Sequence, residues 1–512
     1  MSASTEKKNR TASREAGTYK KTVAQQEEAA KKAKEKKIWT VCGILVAVLL
    51  IVVLFLSSPL VYRNTTAVTI GGEKFSPAQV NYNYANQFYN FANQYGQYAS
   101  MFGLDTQYGL TGLKSQECSM TDGGTWKDYF VDTAITAMTQ TKAISDYAKE
   151  NGIELTEEEI ASVNADLAGV SEYAEASGFS SVKKFLNAYY GNGVNEQIAL
   201  EQALRGSLIA KAAQQYSDSL TYTAEELKEK YDSYNGDYDY FDVCYYNVPA
   251  ETVDDGEGNF AATEETKAAA KTIADAILEE YNALAEETDV EVRLNEAIAR
   301  AGESGECIHS ERAYGSNIAF KDWAAEDHVE GDAAVAESGD DYVVAAFISR
   351  DINDYNLAQV RHILVKAVAD EEGNYTDEAK AEAKARAEEI YDEWRFGMKT
   401  EDSFAELAEL YSEDAGSNTN GGLYDNVMKG QMVEEFDKFC FEGHAHGDSA
   451  VIYGEAAGSY AGYHVMYYVG EGENCRDYIA SSELKSADEQ SWLESLTEGL
   501  TPVKGFWMRY VG

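Results

Sequence analysis

One stretch of this chain occurs twice. Thr263-Glu264-Glu265-Thr266-Lys267-Ala268-Ala269-Ala270-Lys271 lines up with Thr376-Asp377-Glu378-Ala379-Lys380-Ala381-Glu382-Ala383-Lys384, and the register continues through Ile277 with Ile390 and Tyr281 with Trp394. Self-similarity at that separation means one supersecondary unit used twice. In each copy an apolar strand precedes the helix, and another closes the copy, Tyr342 to Phe347 in the first and His464 to Val469 in the second. The pattern predicts two α+β modules, 236–352 and 357–474, inside a multidomain α+β chain.

The second copy carries the chemistry. Val360-Arg361-His362-Ile363-Leu364-Val365 and Gly462-Tyr463-His464-Val465-Met466-Tyr467 each set one histidine in a run that alternates like a strand. Alone, such a histidine is most often a hydrogen-bonded core residue. Between the two, however, come Ser412-Glu413-Asp414, then Asn420-Gly421-Gly422-Leu423, then Gly430-Gln431-Met432-Val433-Glu434-Glu435-Phe436. That ordered set resembles the parvulin family of peptidyl-prolyl isomerases.

The resemblance implies a catalytic set of His362, Asp414 and His464, with the two histidines sharing a hydrogen bond in the pocket floor and orienting Asp414. It implies substrate contacts from Met432, Phe436, Gln431 and Tyr424, with Met432 and Phe436 gripping proline from one face of a short helix. It implies neither cofactor nor metal. Tyr424 and Val427 depart from the aliphatic and large aromatic residues common at those places, which changes the pocket's shape. Lys366 is followed by Asp370-Glu371-Glu372 where phosphate-directed parvulins are basic, so a phosphoserine would be repelled. In the first copy Val243 falls at the place of His362 and Tyr342 at that of His464, with no Gly-Gly turn, so that module should be silent.

Residues 38–56 carry no charge and are almost wholly aliphatic, enough at about 1.5 Å per residue to span a bilayer core of about 30 Å. Of the 43 Lys and Arg and 88 Asp and Glu in the chain, 11 and 5 lie in residues 1–37; that segment is net +6 and the remainder about −51. The positive flank assigns residues 1–37 to the cytoplasm, 38–57 to a single-pass transmembrane helix in the cell membrane, and the bulk to the outside. A cleaved signal peptide is the alternative, although the basic segment is long for one and no small-x-small site follows. So acidic an exterior excludes nucleic acid as a partner.

Ser76-Pro77, Thr156-x-x-Glu159 and Thr223-x-x-Glu226 mark helix starts in a helical stretch, residues 64–235, whose order and pattern resemble the chaperone domain of PrsA- and SurA-like foldases. The aromatic run from Asn81 to Phe102 reads either as a tyrosine-lined core face or as a sticky surface for unfolded chains. Residues 475–512, a helix and then a strand over Val503 to Tyr510, are expected by that resemblance to pack on the N-terminal domain. The implied partners are unfolded or newly translocated polypeptides; a second copy of the chain stays open. Six cysteines, Cys42, Cys118, Cys244, Cys307, Cys440 and Cys475, form no metal motif, and a Cys244 to Cys307 bridge is left open.

Overall fold

Side-chain caps set the helix starts. Ser76, Thr125, Thr156 and Thr223 each accept from the backbone of the residue three places on, and that residue's side chain reaches back to the cap. The computed structural model describes residues 3–56, 58–254, 260–370, 372–456 and 458–512. The chain divides into two units, residues 1–220 with 488–512 and residues 221–487.

The first unit is helical. A long helix, Ala3–Leu56, runs through the apolar stretch, and described side chains there are exposed, Leu49 at 63% and Ile51 at 65%. Among the described residues no helix is long and apolar enough to cross a membrane; the side chains of Val52, Leu54 and Leu56 and all of Ser57 lie outside them. The span expected over 38–57 is therefore not carried by the described structure.

The helix Pro77–Tyr95 turns Tyr84, Phe88 and Phe91 into a core with Trp126 and Phe130 of the helix Trp126–Glu150. Tyr98 and Met101, in the 3₁₀ turn that follows, are exposed. The core-face reading therefore holds for Tyr84, Phe88 and Phe91, while Tyr98 and Met101 lie outside that core. Val68–Ile70 pairs with Glu73–Phe75 on one side and Val503–Lys504 on the other. The expected closing strand stops there, because the Gly505 N–H already donates to the Ala67 carbonyl at 2.7 Å and Phe506–Tyr510 curls into a 3₁₀ turn. Val511 then enters the core beside Ala67, Ile70 and Phe75.

The second unit contains the repeat, realised as two sheets of one topology. In the first module β1 (Tyr240–Val248), β2 (Ile308–Tyr314), β3 (Ala333–Ser338) and β4 (Asp341–Asp351) are ordered β2-β1-β4-β3. In the second, β5 (Asn356–Lys366), β6 (Leu423–Val427), β7 (Ser449–Ala456) and β8 (Tyr460–Asn474) are ordered β6-β5-β8-β7. The helices match too. α1 (Glu264–Ala283) and α3 (Asp377–Phe396) have 20 residues each, and α2 (Val290–Arg300) and α4 (Glu401–Tyr411) have 11. Thr263 and Thr376 cap the longer pair.

Alternation then divides each sheet. One face of β5 and β8 sends Ile363 and Val465 under α3 and α4, against Trp394 and Phe404. Full burial of a residue such as Ile363 or Phe404 stabilises by about 1.5–3 kcal/mol. The other face packs Val360 and Met466 against α5 (Glu434–Phe441). The site lies on this second face.

Candidate active site

Register brings the histidines together. Across β5 and β8, His362 pairs with Met466 and Leu364 with His464, so the two histidines are diagonal neighbours on one face. Their Nδ1 atoms lie 3.0 Å apart, and each residue is buried. Asp414 is delivered by the turn after α4. The Ser412 hydroxyl accepts from Leu364 N–H at 3.2 Å, and Glu413 N–H donates to the Leu364 carbonyl at 2.9 Å, which anchors that turn to β5.

The Gly-Gly turn has a steric cause. Gly421 and Gly422 have φ of 70° and 73°, and the Gly422 carbonyl accepts from His362 N–H at 2.9 Å. A Cβ on Gly422 would stand 2.3 Å from the His362 carbonyl oxygen. Only glycine lets the turn approach so closely.

A hydrogen-bonded chain results. The His362 Nε2 atom is 2.9 Å from Asp414 Oδ2, and His464 Nε2 is 3.0 Å from the Tyr460 hydroxyl. Asp414 Oδ2 also accepts from Ser417 at 2.5 Å and Tyr424 at 3.1 Å, while Oδ1 accepts from Gly416 N–H at 3.2 Å. With both rings neutral and Asp414 ionised, one arrangement satisfies every atom: Tyr460 donates to His464, His464 to His362, and His362 to Asp414.

The electrostatics agree. The His362 hydrogen bond, then that of Ser417, hold the Asp414 carboxyl well below the usual carboxylate range despite partial burial. Burial first, and then the neighbouring His362, push His464 down to about 3. Burial and then the Asp414 charge push Tyr424 up to about 12. A neutral His464 imidazole thus sits behind a fixed anion.

Phe436 closes the site from α5. It is buried, its ring centroid 5.3 Å from that of His362 and 5.4 Å from that of His464. Met432 is half-buried against the same cluster, but it does not share a helical face with Phe436. The helix begins at Glu434 with Val433 as a cap that makes no side-chain bond, so Met432 belongs to the preceding turn. Gln431 is exposed, and its Oε1 accepts from Met428 N–H at 2.9 Å, which holds that turn. Tyr424 lies beside the His362 ring, centroids 5.3 Å apart. Val427 is buried in the same cluster.

Ser417, Tyr460 and Gly454 belong to this network without having been singled out in the sequence. Tyr460 was legible, since four places before His464 on one strand means the same face. Gly454, where a Cβ would stand 2.6 Å from His464 Nε2, gives no sequence signal.

The first module lacks the dyad, though one residue assignment changes. Val243 pairs with Phe347 as His362 pairs with Met466, so the counterpart of His464 is Ala345, two places earlier. Tyr342 instead packs on the helix side, with α1 and α2. Val243 and Ala345 share an apolar cluster with Phe241 and Phe320.

Residues 347–466 match the family described as the PPIC-type PPIASE domain. Two proteins named chaperone SurA are similar over part of the chain: that of Hahella chejuensis is 42% identical over 85 residues, 17% of each chain. That of Chromobacterium violaceum is 42% identical over 80 residues, 15% of each. The chain thus spans about a sixth of the length of these curated relatives. The crystal structure of PrsA from Bacillus subtilis superposes with a TM-score of 0.28 at 16% identity, covering 76% of this chain and 93% of that one, a likeness too loose to assign any residue a role.

Proposed function

We propose, from the premise that residues 347–466 belong to the PPIC-type, or parvulin-type, peptidyl-prolyl isomerase family, that the chain is a membrane-anchored extracytoplasmic foldase. It catalyses cis/trans isomerisation of X-Pro bonds in newly translocated polypeptides and holds those chains as a chaperone. The observation that carries this reading is the continuous hydrogen-bonded chain Tyr460–His464–His362–Asp414 under the Phe436 ring.

The barrier to be lowered is amide resonance, about 18–20 kcal/mol, and no covalent step or cofactor is needed. A site accelerates the rotation by binding the twisted amide better than either planar form. Phe436 and Met432 supply apolar contact for the proline ring, and Tyr424 borders it. Gln431 shapes the rim by fixing the turn before α5. Asp414, ionised and held by three side-chain donors, imposes a fixed field on the carbonyl as it leaves conjugation, with no reorganisation at that moment. His464 stays neutral and, through His362, fixes where that charge points.

The membrane anchor rests on the sequence of residues 38–57 and its basic flank, and on the exposed apolar side chains of that helix, which lipid would cover. No metal or nucleic acid enters the reaction. The test is cis/trans exchange of an unphosphorylated X-Pro peptide with the full chain. No acceleration by wild type, or equal acceleration by a folded Asp414→Ala, His464→Ala double variant, refutes catalysis.

A second reading, a non-catalytic holdase, is favoured by one feature of the first unit. A cavity of about 470 Å³ there is lined by Tyr62, Asn81, Tyr84, Leu110 and Tyr190, and the buried Tyr84 hydroxyl has no partner. A part-apolar concavity of that size suits a segment of unfolded chain.

A further inference from the structure

On the helix side of the first module, opposite the face that holds Val243 and Ala345, metal-competent side chains converge from three elements. Cys244 of β1 is the cross-strand partner of His309 of β2, and Glu291 stands in the first turn of α2. The Cys244 Sγ, a Glu291 carboxylate oxygen and a His309 ring nitrogen all lie within 4.8 Å of one another. Cys307 adds a second sulfur. Its thiol stands outside that three-residue group and donates to the Glu291 backbone carbonyl at 3.8 Å, while its N–H donates to Asn295 Oδ1 at 2.8 Å.

The histidine is already oriented. Asp242 Oδ1 lies 2.8 Å from His309 Nε2, and Glu291 Oε2 lies 3.0 Å from Nδ1, on the side of the thiols. A carboxylate behind the far nitrogen of an imidazole fixes its tautomer and turns the other lone pair inward, the usual support for a metal-bound histidine.

We propose that Cys244, Cys307, His309 and Glu291 form a structural Zn²⁺ site, with Asp242 as the positioning residue behind His309. Two sulfurs, one imidazole and one carboxylate suit a tetrahedral, borderline-soft ion and leave no open position for substrate. A plain ion pair would account for His309 between two carboxylates, but not for a wholly buried thiol within ligand reach of both. A disulfide would account for the thiols but not for the oriented imidazole. The ion would tie β1, β2 and α2 together in a module that has no catalytic dyad. Its ligands lie at positions 244, 291, 307 and 309, with no short Cys-x-x-Cys pair, so the sequence shows no metal signature.

The full chain, reduced and stripped with a chelator, is titrated with Zn²⁺ against a chromophoric chelator, and separately with Co²⁺ while the thiolate-to-cobalt absorption is followed. One Zn²⁺ per chain is expected, together with a thiolate-to-cobalt band that Cys307→Ser diminishes. Glu291→Gln and His309→Gln, at partly exposed positions, should each weaken binding at least about 10-fold, and Asp242→Asn by about 10- to 100-fold. The proposal is overturned if wild type retains no Zn²⁺, or if its Co²⁺ complex lacks a thiolate band. It is equally overturned if affinity is unchanged in folded His309→Gln, or if Cys244 and Cys307 are recovered as a disulfide from cells lysed without reductant. Because the wild-type cobalt spectrum needs no variant, a misfolded substitution leaves the test intact.

Discussion

The Nδ1 atoms of His362 and His464 stand 3.0 Å apart, so one ring can donate to the other only if the other keeps a lone pair. Proton positions along the whole chain are thereby tied to the charge on Asp414. Asp414→Asn keeps the shape but puts an N–H₂ or a neutral carbonyl where three donors converge. The rate of X-Pro exchange should fall on the order of 10²-fold, the cost of removing one fixed electrostatic group. The urea midpoint should move little by comparison. Equal rates would remove Asp414 from the mechanism.

Acid should destabilise the second module through His464. In the unfolded chain this histidine takes up a proton near 6.5, whereas in the folded one burial holds it to about 3. Between those values the unfolded state carries more protons, so stability falls as pH falls through that window. Asp414 adds to the loss only below about 4, where its unfolded form is protonated while its folded form stays ionised. Urea midpoints from pH 7 to pH 4 should decline in wild type and flatten in His464→Gln. A wild-type profile flat over that range would contradict a neutral buried His464.

Much of this arrangement was written in the sequence, for reasons that differ by residue. Strands β5 and β8 were legible because period-two alternation places His362 and His464 on whichever face Val360 and Met466 occupy. The shared fold of the modules was legible because helix caps and apolar spacing recur at Thr263 and Thr376. What escaped depends on register and on three-dimensional approach. The sequence puts Tyr342 at the place of His464, but pairing in β1 and β4 selects Ala345. Spacing puts Met432 and Phe436 on one helical face, yet that helix begins only at Glu434, with Val433 as its cap. Gly454 touches His464 from β7, and nothing in a one-dimensional pattern reports that contact.

Gly454→Ala should damage the site without touching a polar group. Its Cβ would stand 2.6 Å from His464 Nε2 and 3.1 Å from Val433 Cγ2, and both neighbours are packed. Overfilling of this kind costs about 1–3 kcal/mol. The ring must turn away from Tyr460 or His362, so isomerase activity should drop together with stability. Gly470→Ala on β8, where the nearest side-chain atom is 3.9 Å away, is the control and should leave both nearly unchanged. Equal effects of the two substitutions would show that His464 is not held by Gly454.

The proposed anchor makes a topological prediction. Protease added outside intact cells should digest residues beyond about 64 and spare an N-terminal fragment that includes the basic segment 1–37 and the apolar run after it. The full-length mass should be recovered from membranes. A soluble mature form beginning near Ser57 would identify the apolar run as a cleaved signal instead.

Client holding and isomerisation should separate. The proposed proline contact at Phe436 serves a single ring, whereas the first unit offers the Tyr62–Tyr84–Tyr190 cavity and the exposed Tyr98, Met101 and Tyr108, a much larger apolar area for an unfolded chain. His464→Ala in the full chain should therefore abolish most X-Pro turnover and leave suppression of aggregation of a denatured client unchanged. Replacing Tyr98, Met101 and Tyr108 together by Ser should do the reverse: these side chains are already in solvent, so their loss costs little stability but removes client contact. Light scattering of a denatured client, measured beside peptide isomerisation for both variants, checks the pair. If suppression disappears with His464 and survives the triple replacement, client binding belongs to the second module and the assignment to the helical unit fails.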